Sequence, residues 1–385
     1  MRKWFFVSLW LLGSISVQAQ PSDNRSDSVD VLHYELRLDA GHRTVARLEG
    51  SATLVLRLLQ PLDSLTLELC PADIDSVWIN GVSSAFRFDS EKCLLQLPVK
   101  GGAGDTVQAV VFYRKGQYVM KQGWGGFYFD NSIYYNLGCS IYDYPHNAGK
   151  AWFPCRDNFY DKATYRFEIT AKPGWMAICS GLLDTVLSHA DGSSTWCWEL
   201  SRPIPTYLAG IAVAPFRVIT REVEGIHAGY PAMIGFLRHD SIAVETVFAH
   251  LDKVIPQFER CFGPYRWERI GYVTTPKGSM EHADNIALVS QCAASPTEPC
   301  LATMCHELAH AWFGNLVTCA GSEDMWINEG GASFCEELAI QAITSDTNPL
   351  HYRTYARNNL KNVLMQTHLK DGGFKPLYGQ EPAYT

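Results

Sequence analysis

The chain has no excess of positive charge. Its 32 Lys and Arg stand against 40 Asp and Glu, a formal net charge of −8, so the basic footprint that nucleic-acid binding needs is missing. There is no internal repeat, low-complexity tract or phosphate-cradling glycine loop; the Gly-Trp-Gly-Gly stretch at 123–126 reads as a turn between strands. None of the twelve cysteines is spaced C-x-x-C, which excludes the common thiol-redox and zinc-ribbon patterns. Nor is any apolar run long enough for a comfortable membrane span. After Met1-Arg2-Lys3, the run Trp4 to Val17 followed by Gln18-Ala19 has the shape of a secretory signal peptide cut after Ala19. The chain is therefore expected to be exported, periplasmic or secreted, with no stable membrane span once the signal is removed. An oxidising compartment permits disulfides. However, Cys139, Cys155, Cys179, Cys305 and Cys335 lie in apolar segments that suit small buried thiols, and no pairing is drawn from the sequence.

What is present is ordinary globular material: 385 residues, 47% hydrophobic and 19% charged, enough for two or three domains. From about Ser28 to Val218 the pattern is strand-like. Tyr34–Asp39, Ala52–Leu58, Ser64–Leu69 and Val107–Tyr113 alternate with period two, punctuated by turn residues. From about Thr220 the period lengthens, with helical spacing over Val244–Phe262 and again after Leu301. The expected organisation is a signal peptide over 1–19, an N-terminal antiparallel β domain over 20–218 and a mixed α/β domain over 219–385.

Within the second part lies His306-Glu307-Leu308-Ala309-His310, an H-E-x-x-H sequence, with Glu329 nineteen positions after His310. Residues four apart on a helix lie one above the other, so both imidazoles can aim at one point. Two imidazoles and a carboxylate make a three-ligand zinc site with a fourth position open, the feature that separates catalytic from structural zinc. The segment Leu301–Val317 has helical length and no proline. As one helix it would place His306, His310, Phe313 and Val317 on a common face and be buried nearly all round. Cys305 falls away from that face and reads as a core thiol. Glu336, two turns after Glu329, shares its face and is a candidate acceptor for a ligand histidine's second N–H.

Gly278-Ser279-Met280-Glu281-His282 precedes this segment by about twenty-five residues. Together these sequences resemble the M1 family of zinc aminopeptidases, the gluzincins related to aminopeptidase N and leukotriene A4 hydrolase, whose signature is G-x-M-E-N, then H-E-x-x-H, eighteen residues and E. Trp312-Phe313-Gly314-Asn315-Leu316-Val317-Thr318 matches the family's W-F-G-N-x-V-T run. Trp152-Phe153-Pro154-Cys155-Arg156-Asp157, Asp161–Tyr165 and Pro203–Leu208 resemble its F-P-C-x-D, K-A-T and P-x-x-T-Y-L blocks. The resemblance implies a saddle-like β domain followed by a thermolysin-like α/β catalytic domain. It also implies one Zn2+ held by His306, His310 and Glu329, Glu307 as general base, Glu281 binding the substrate's free α-amine, and Gly278 and Met280 along the substrate backbone. Peptides with free amino termini are the implied substrates. His282 departs from the motif, standing where the family has Asn.

A second departure follows Glu329. The family's oxyanion-binding tyrosine normally precedes x-K-G. No Y-x-K-G occurs here, and Tyr352, Tyr355, Tyr378 and Tyr384 have other contexts. The sequence thus reads as a catalytic domain incomplete at its C-terminus. The alternative is a weakly active or inactive zinc-binding homologue that captures peptide amino termini.

Overall fold

The computed structural model describes residues 28–365 apart from 42–45, 131, 141 and 238–242. The expected signal peptide and the tail with Tyr378 and Tyr384 lie outside the described residues.

Alternating segments become pleated sheet because their apolar sides can share one interior. Val29–Asp39, Leu48–Leu58 and Thr106–Lys115 pair antiparallel, with Leu36, Leu54 and Val111 fully buried. They form the centre of an eight-stranded sheet whose strands are, in order, Leu182–Ser188, Ser194–Ile204, Ala163–Ala171, Val29–Asp39, Leu48–Leu58, Thr106–Lys115, Asp73–Ile79 and Val82–Ser84. One pair in it is parallel, Val29–Asp39 against Ala163–Ala171. A three-stranded sheet (Leu62–Glu68, Leu94–Gly101, Arg87–Asp89) and a five-stranded sheet running from Met176–Cys179 to Tyr118–Val119 complete this part. Large aromatics fill it. Trp152 packs edge-on to Phe153, and Phe153 edge-on to Tyr34. The Trp152–Asp157 block is fastened to the Pro203–Leu208 block by the Thr206 hydroxyl, which donates to Asp157 Oδ1 at 2.7 Å, while Lys150 takes the other carboxylate oxygen at 3.0 Å.

A further, four-stranded sheet begins at Arg217. Arg217–Glu224 and Gly229–Phe236 form a hairpin, and Ile270–Thr275 and Ile286–Val289 add parallel to it. Among the described residues six α-helices follow or interleave: α1 (Val244–Phe248), α2 (Leu251–Phe262), α3 (Ser290–Ala293), α4 (Glu298–Ala309), α5 (Met325–Thr344) and α6 (His351–Met365). The molecule is thus a multi-strand β region followed by a mixed, helix-rich region, as the sequence implies, and one continuous core runs through both.

Two helical expectations are corrected. The periodic run 244–262 is divided at Ala249–His250, where the chain tightens to i→i−3 bonds such as His250 N–H to the Val247 carbonyl. The helix expected over 301–317 ends at Ala309. Gly314 adopts φ +116°, a left-handed conformation that α-helix cannot continue through. Residues 310–317 fold back as turns, with the Asn315 N–H on the His310 carbonyl at 3.0 Å. Val317, expected on the buried face, is 59% exposed.

Candidate metal centre

Helix α4 enters the core below the edge of the four-stranded sheet. Tyr272, fully buried on strand Ile270–Thr275, donates its hydroxyl to the Met304 carbonyl at 3.0 Å. Trp267 Nε1 donates to the Ala311 carbonyl at 2.8 Å, and Trp312 Nε1 to that of Gly263 at 3.0 Å. The last turn of α4 and the loop after it are therefore held from both sides. His306 and Glu307 lie in that last turn, and His310 is the residue on which the helix ends.

Helix α5 packs across α4 and brings Glu329 and Glu336. The Nε2 atoms of His306 and His310 face each other at 3.2 Å, and Glu329 Oε2 lies 3.3 Å from the first and 3.8 Å from the second. Each ring's other nitrogen has an oxygen partner: His306 Nδ1 meets Glu336 Oε1 at 2.9 Å, and His310 Nδ1 donates to the Phe313 carbonyl at 2.9 Å. Those partners orient the rings so that both Nε2 atoms converge on Glu329. Gly314 makes room for this, because a Cβ there would come within 3.1 Å of His310 Nδ1 and 3.3 Å of Asn328 Nδ2.

The electrostatics describe a place that calls for a cation. Burial disfavours a charged His306, yet its bonds to Glu329 and Glu336 raise its pKa well above the ordinary imidazole value. Burial keeps His310 neutral, its pKa lowered. Burial pushes the Glu329 carboxyl up, and His310 and His306 more than reverse this, holding it at about 2. Two nitrogen donors and one carboxylate, with donor atoms all within 4.8 Å of one another, fit zinc in donor type and number. Cys305 is fully buried and free, and lies outside that group.

Beside it is a second group. The carboxylates of Glu281 and Glu307 and a nitrogen of His310 lie within 4.8 Å of one another. Glu281 is 5% exposed and Glu307 8%. Burial, with the charge of Glu329 added, pushes Glu281 up to about 8. Burial likewise pushes Glu307 up to about 8, with His306 and His310 opposing. Glu281 sits on a segment that bridges the sheet edge, since Met280 and Ala287 exchange two backbone bonds of 2.9 Å. Gly278 takes φ +76° there, and a Cβ would meet Leu137 Cδ1 at 2.6 Å.

His282 points away from these carboxylates. Its Nε2 accepts the Gly138 N–H at 3.2 Å and meets Asn136 Nδ2 at 3.2 Å, and burial lowers its pKa to about 3. The residue that departs from the family motif is thus a neutral acceptor joining the Met280 segment to the strand Tyr134–Leu137.

Sequence reasoning gave no role to two residues. Asn315 Nδ2 donates to the Glu281 carbonyl at 2.8 Å, which fixes the backbone of the glutamate from the loop after α4. Tyr355, on α6, donates to Glu336 Oε2 at 2.7 Å, the carboxylate that meets His306. Asn315 was visible within the Trp312–Thr318 run, whereas Tyr355 carries no sequence signal.

A histidine pair closing one helix, a glutamate on the next and Glu281 at a neighbouring sheet edge thus gather into one compact group of possible metal donors and buried carboxylates. Residues 247–373 match the peptidase family M1 domain. Glutamyl aminopeptidase of Bitis rhinoceros is 32% identical over 211 residues, covering 51% of this chain and 22% of the relative. Aminopeptidase B of Mus musculus is 28% identical over 191 residues, covering 49% and 28%. The crystal structure of an M1 zinc metallopeptidase from Deinococcus radiodurans superposes with a TM-score of 0.78 at 22% identity, over 92% of this chain and 78% of that one. The segment 247–373 is thus similar to the peptidase family M1 domain, and the fold over most of the chain is that of the M1 zinc metallopeptidase structure. The chain's aligned part spans about a quarter of the length of the curated relatives it matches.

Proposed function

We propose that the chain is a zinc-dependent aminopeptidase that removes amino-terminal residues from peptides. His306, His310 and Glu329 would hold one zinc ion, which would supply Lewis acidity and lower the pKa of water toward neutrality. Glu307 takes the proton from the attacking water and carries it to the departing amine. A base with a pKa near the working pH suits both transfers, and burial pushes Glu307 toward that range. Glu281 receives the α-ammonium of the substrate; a buried carboxylate left unpaired penalises any peptide lacking that charge. Gly278 and Met280, at the sheet edge, lie along the substrate backbone. Glu336 and the Phe313 carbonyl orient the two imidazoles.

The observation that carries this reading is the adjacency of Glu281 to Glu307 and His310. A carboxylate buried beside the hydrolytic group measures distance from the amino terminus, which turns a peptidase into an exopeptidase. The test is hydrolysis of aminoacyl amides by purified protein containing about one zinc per chain, set against the same substrates N-acetylated. Equal rates on both would remove Glu281 from its role, and protein free of zinc after a chelator-free purification would remove the metal assignment. The expected exported location rests on the N-terminal sequence alone and is tested by fractionating cells expressing the full chain.

A further inference from the structure

At the end of the three-stranded sheet, Cys70 and Cys93 place their sulfurs 3.0 Å apart. Leu62–Glu68 pairs with Leu94–Gly101, and the Leu69 N–H on the Cys93 carbonyl, at 3.0 Å, makes a further rung of the ladder. The two cysteines sit at this rung and enclose residues 71–92. That segment carries Asp73–Ile79 and Val82–Ser84, the last two strands of the eight-stranded sheet. Cys93 adopts φ +57°, a backbone state that costs a β-carbon-bearing residue and suits Gly or Asn. A side-chain reason for keeping cysteine there is therefore required.

The surroundings supply one. Cys70 is buried, while Cys93 is partly exposed and lines a cavity of about 760 Å3 together with Cys70, Lys150, Tyr118 and Met120. Lys115, 1% exposed, donates to the Pro71 carbonyl and lies 4.6 Å from the Tyr118 ring centre. The hydrogen bond shared with Cys70 lowers the Cys93 thiol to about 7, against the effect of burial and with Lys150 assisting, while Cys70 moves the opposite way. One sulfur is thus accessible and ionisable, and the other is buried behind it, the arrangement of an attacking and a resolving thiol.

We propose that Cys70 and Cys93 are an oxidisable dithiol pair, converted to a disulfide by exchange with a disulfide oxidant that reaches Cys93 through this cavity. The Cys93 thiolate attacks one sulfur of the oxidant and expels the first thiolate. Cys70, giving its proton to solvent, attacks Cys93 Sγ and expels the second. Two protein thiols become one S–S bond, and the oxidant leaves as two thiols. The sulfurs need to close by about 1 Å to reach the bonded separation of about 2.05 Å, a shift within reach of side-chain rotation. The bond would staple the base of the segment carrying the Val82–Ser84 edge.

Reduced full-length protein, held in oxidised glutathione near neutral pH and digested without reduction, tests this by mass spectrometry. A peptide pair joined through Cys70 and Cys93, two hydrogens lighter than its parts, is expected. Oxidation should also raise Tm by about 4–5 °C, as closing a loop of this length in a chain of this size predicts, and the rise should vanish in Cys70→Ser and Cys93→Ser. In Cys70→Ser, Cys93 should accumulate as the glutathione adduct. The proposal is overturned if Cys93 remains open to alkylation after oxidation, if the linkage found joins other cysteines instead, or if Cys70→Ser takes up no glutathione at position 93.

Discussion

The two regions bury their chains by different means. In the β region the interior is hydrocarbon and aromatic ring, and its few buried charges are neutralised locally, as Asp157 is by Lys150 and Thr206. Around α4 and α5 the interior contains Glu281, His282, Asp284, Glu307 and His310. Several of these are driven far from their ordinary pKa values by burial. The first region rests mainly on apolar burial, while the second gathers carboxylates and imidazoles into one buried group. The contrast separates a scaffold from a candidate site.

The sharpest way to test that contrast is Glu307→Gln, which keeps the shape and removes the base. Hydrolysis of an aminoacyl amide should fall about 10²–10⁴-fold with zinc content unchanged in metal analysis; parallel loss of zinc would place Glu307 among the ligands instead. Glu281→Gln should lower kcat/KM for free-amine peptides about ten- to a hundredfold, as loss of one charge-assisted bond predicts, and should narrow the gap to N-acetylated ones. Glu336→Ala should weaken zinc about 10–100-fold in competition with a chelator, and Tyr355→Phe should move the same affinity in the same direction by less. In the β region, Leu36→Ala should cost about 2–5 kcal/mol of stability while zinc affinity stays the same. A change in zinc affinity there would break the separation.

Removing the metal should make stability depend on pH in a defined direction. Glu281 and Glu307 are raised to about 8 in the folded metal-free chain, and His306 is raised as well. The folded state then binds more protons than the unfolded one, so stability falls as pH rises from about 6.5 through about 8. Below that window the lowered pKa values of His282 and His310 act in the opposite sense. Tm of chelator-treated protein should therefore drop across this interval. Zinc should abolish the drop, and a flat profile without metal would contradict the charge imbalance.

Much of this was legible in the sequence because it is periodic or local. Period-two alternation located the central strands, and Leu36, Leu54 and Val111 point inward as it requires. The spacing of His306, His310, Glu329 and Glu336 corresponds to side chains that converge in space. What was not legible depends on one φ angle or on long-range partners. Periodicity carried the helix past Ala309, and the left-handed Gly314 stopped it. The direction of His282 depends on Gly138 and Asn136, more than 140 residues away, and the approach of Tyr355 to Glu336 depends on how α6 returns over α5. The Cys70–Cys93 proximity is likewise a matter of sheet register.

The imidazole of His282 has a mechanical consequence. It ties the Met280 segment to the β region, and Asn315 ties the same strip to the loop after α4. That strip is therefore held from two sides and can yield little, whereas α5 and α6 carry exposed Trp326, Phe334 and Leu360. Amide exchange would report this directly: the Gly138 N–H should be among the slowest to exchange, while those of α6 turn over freely.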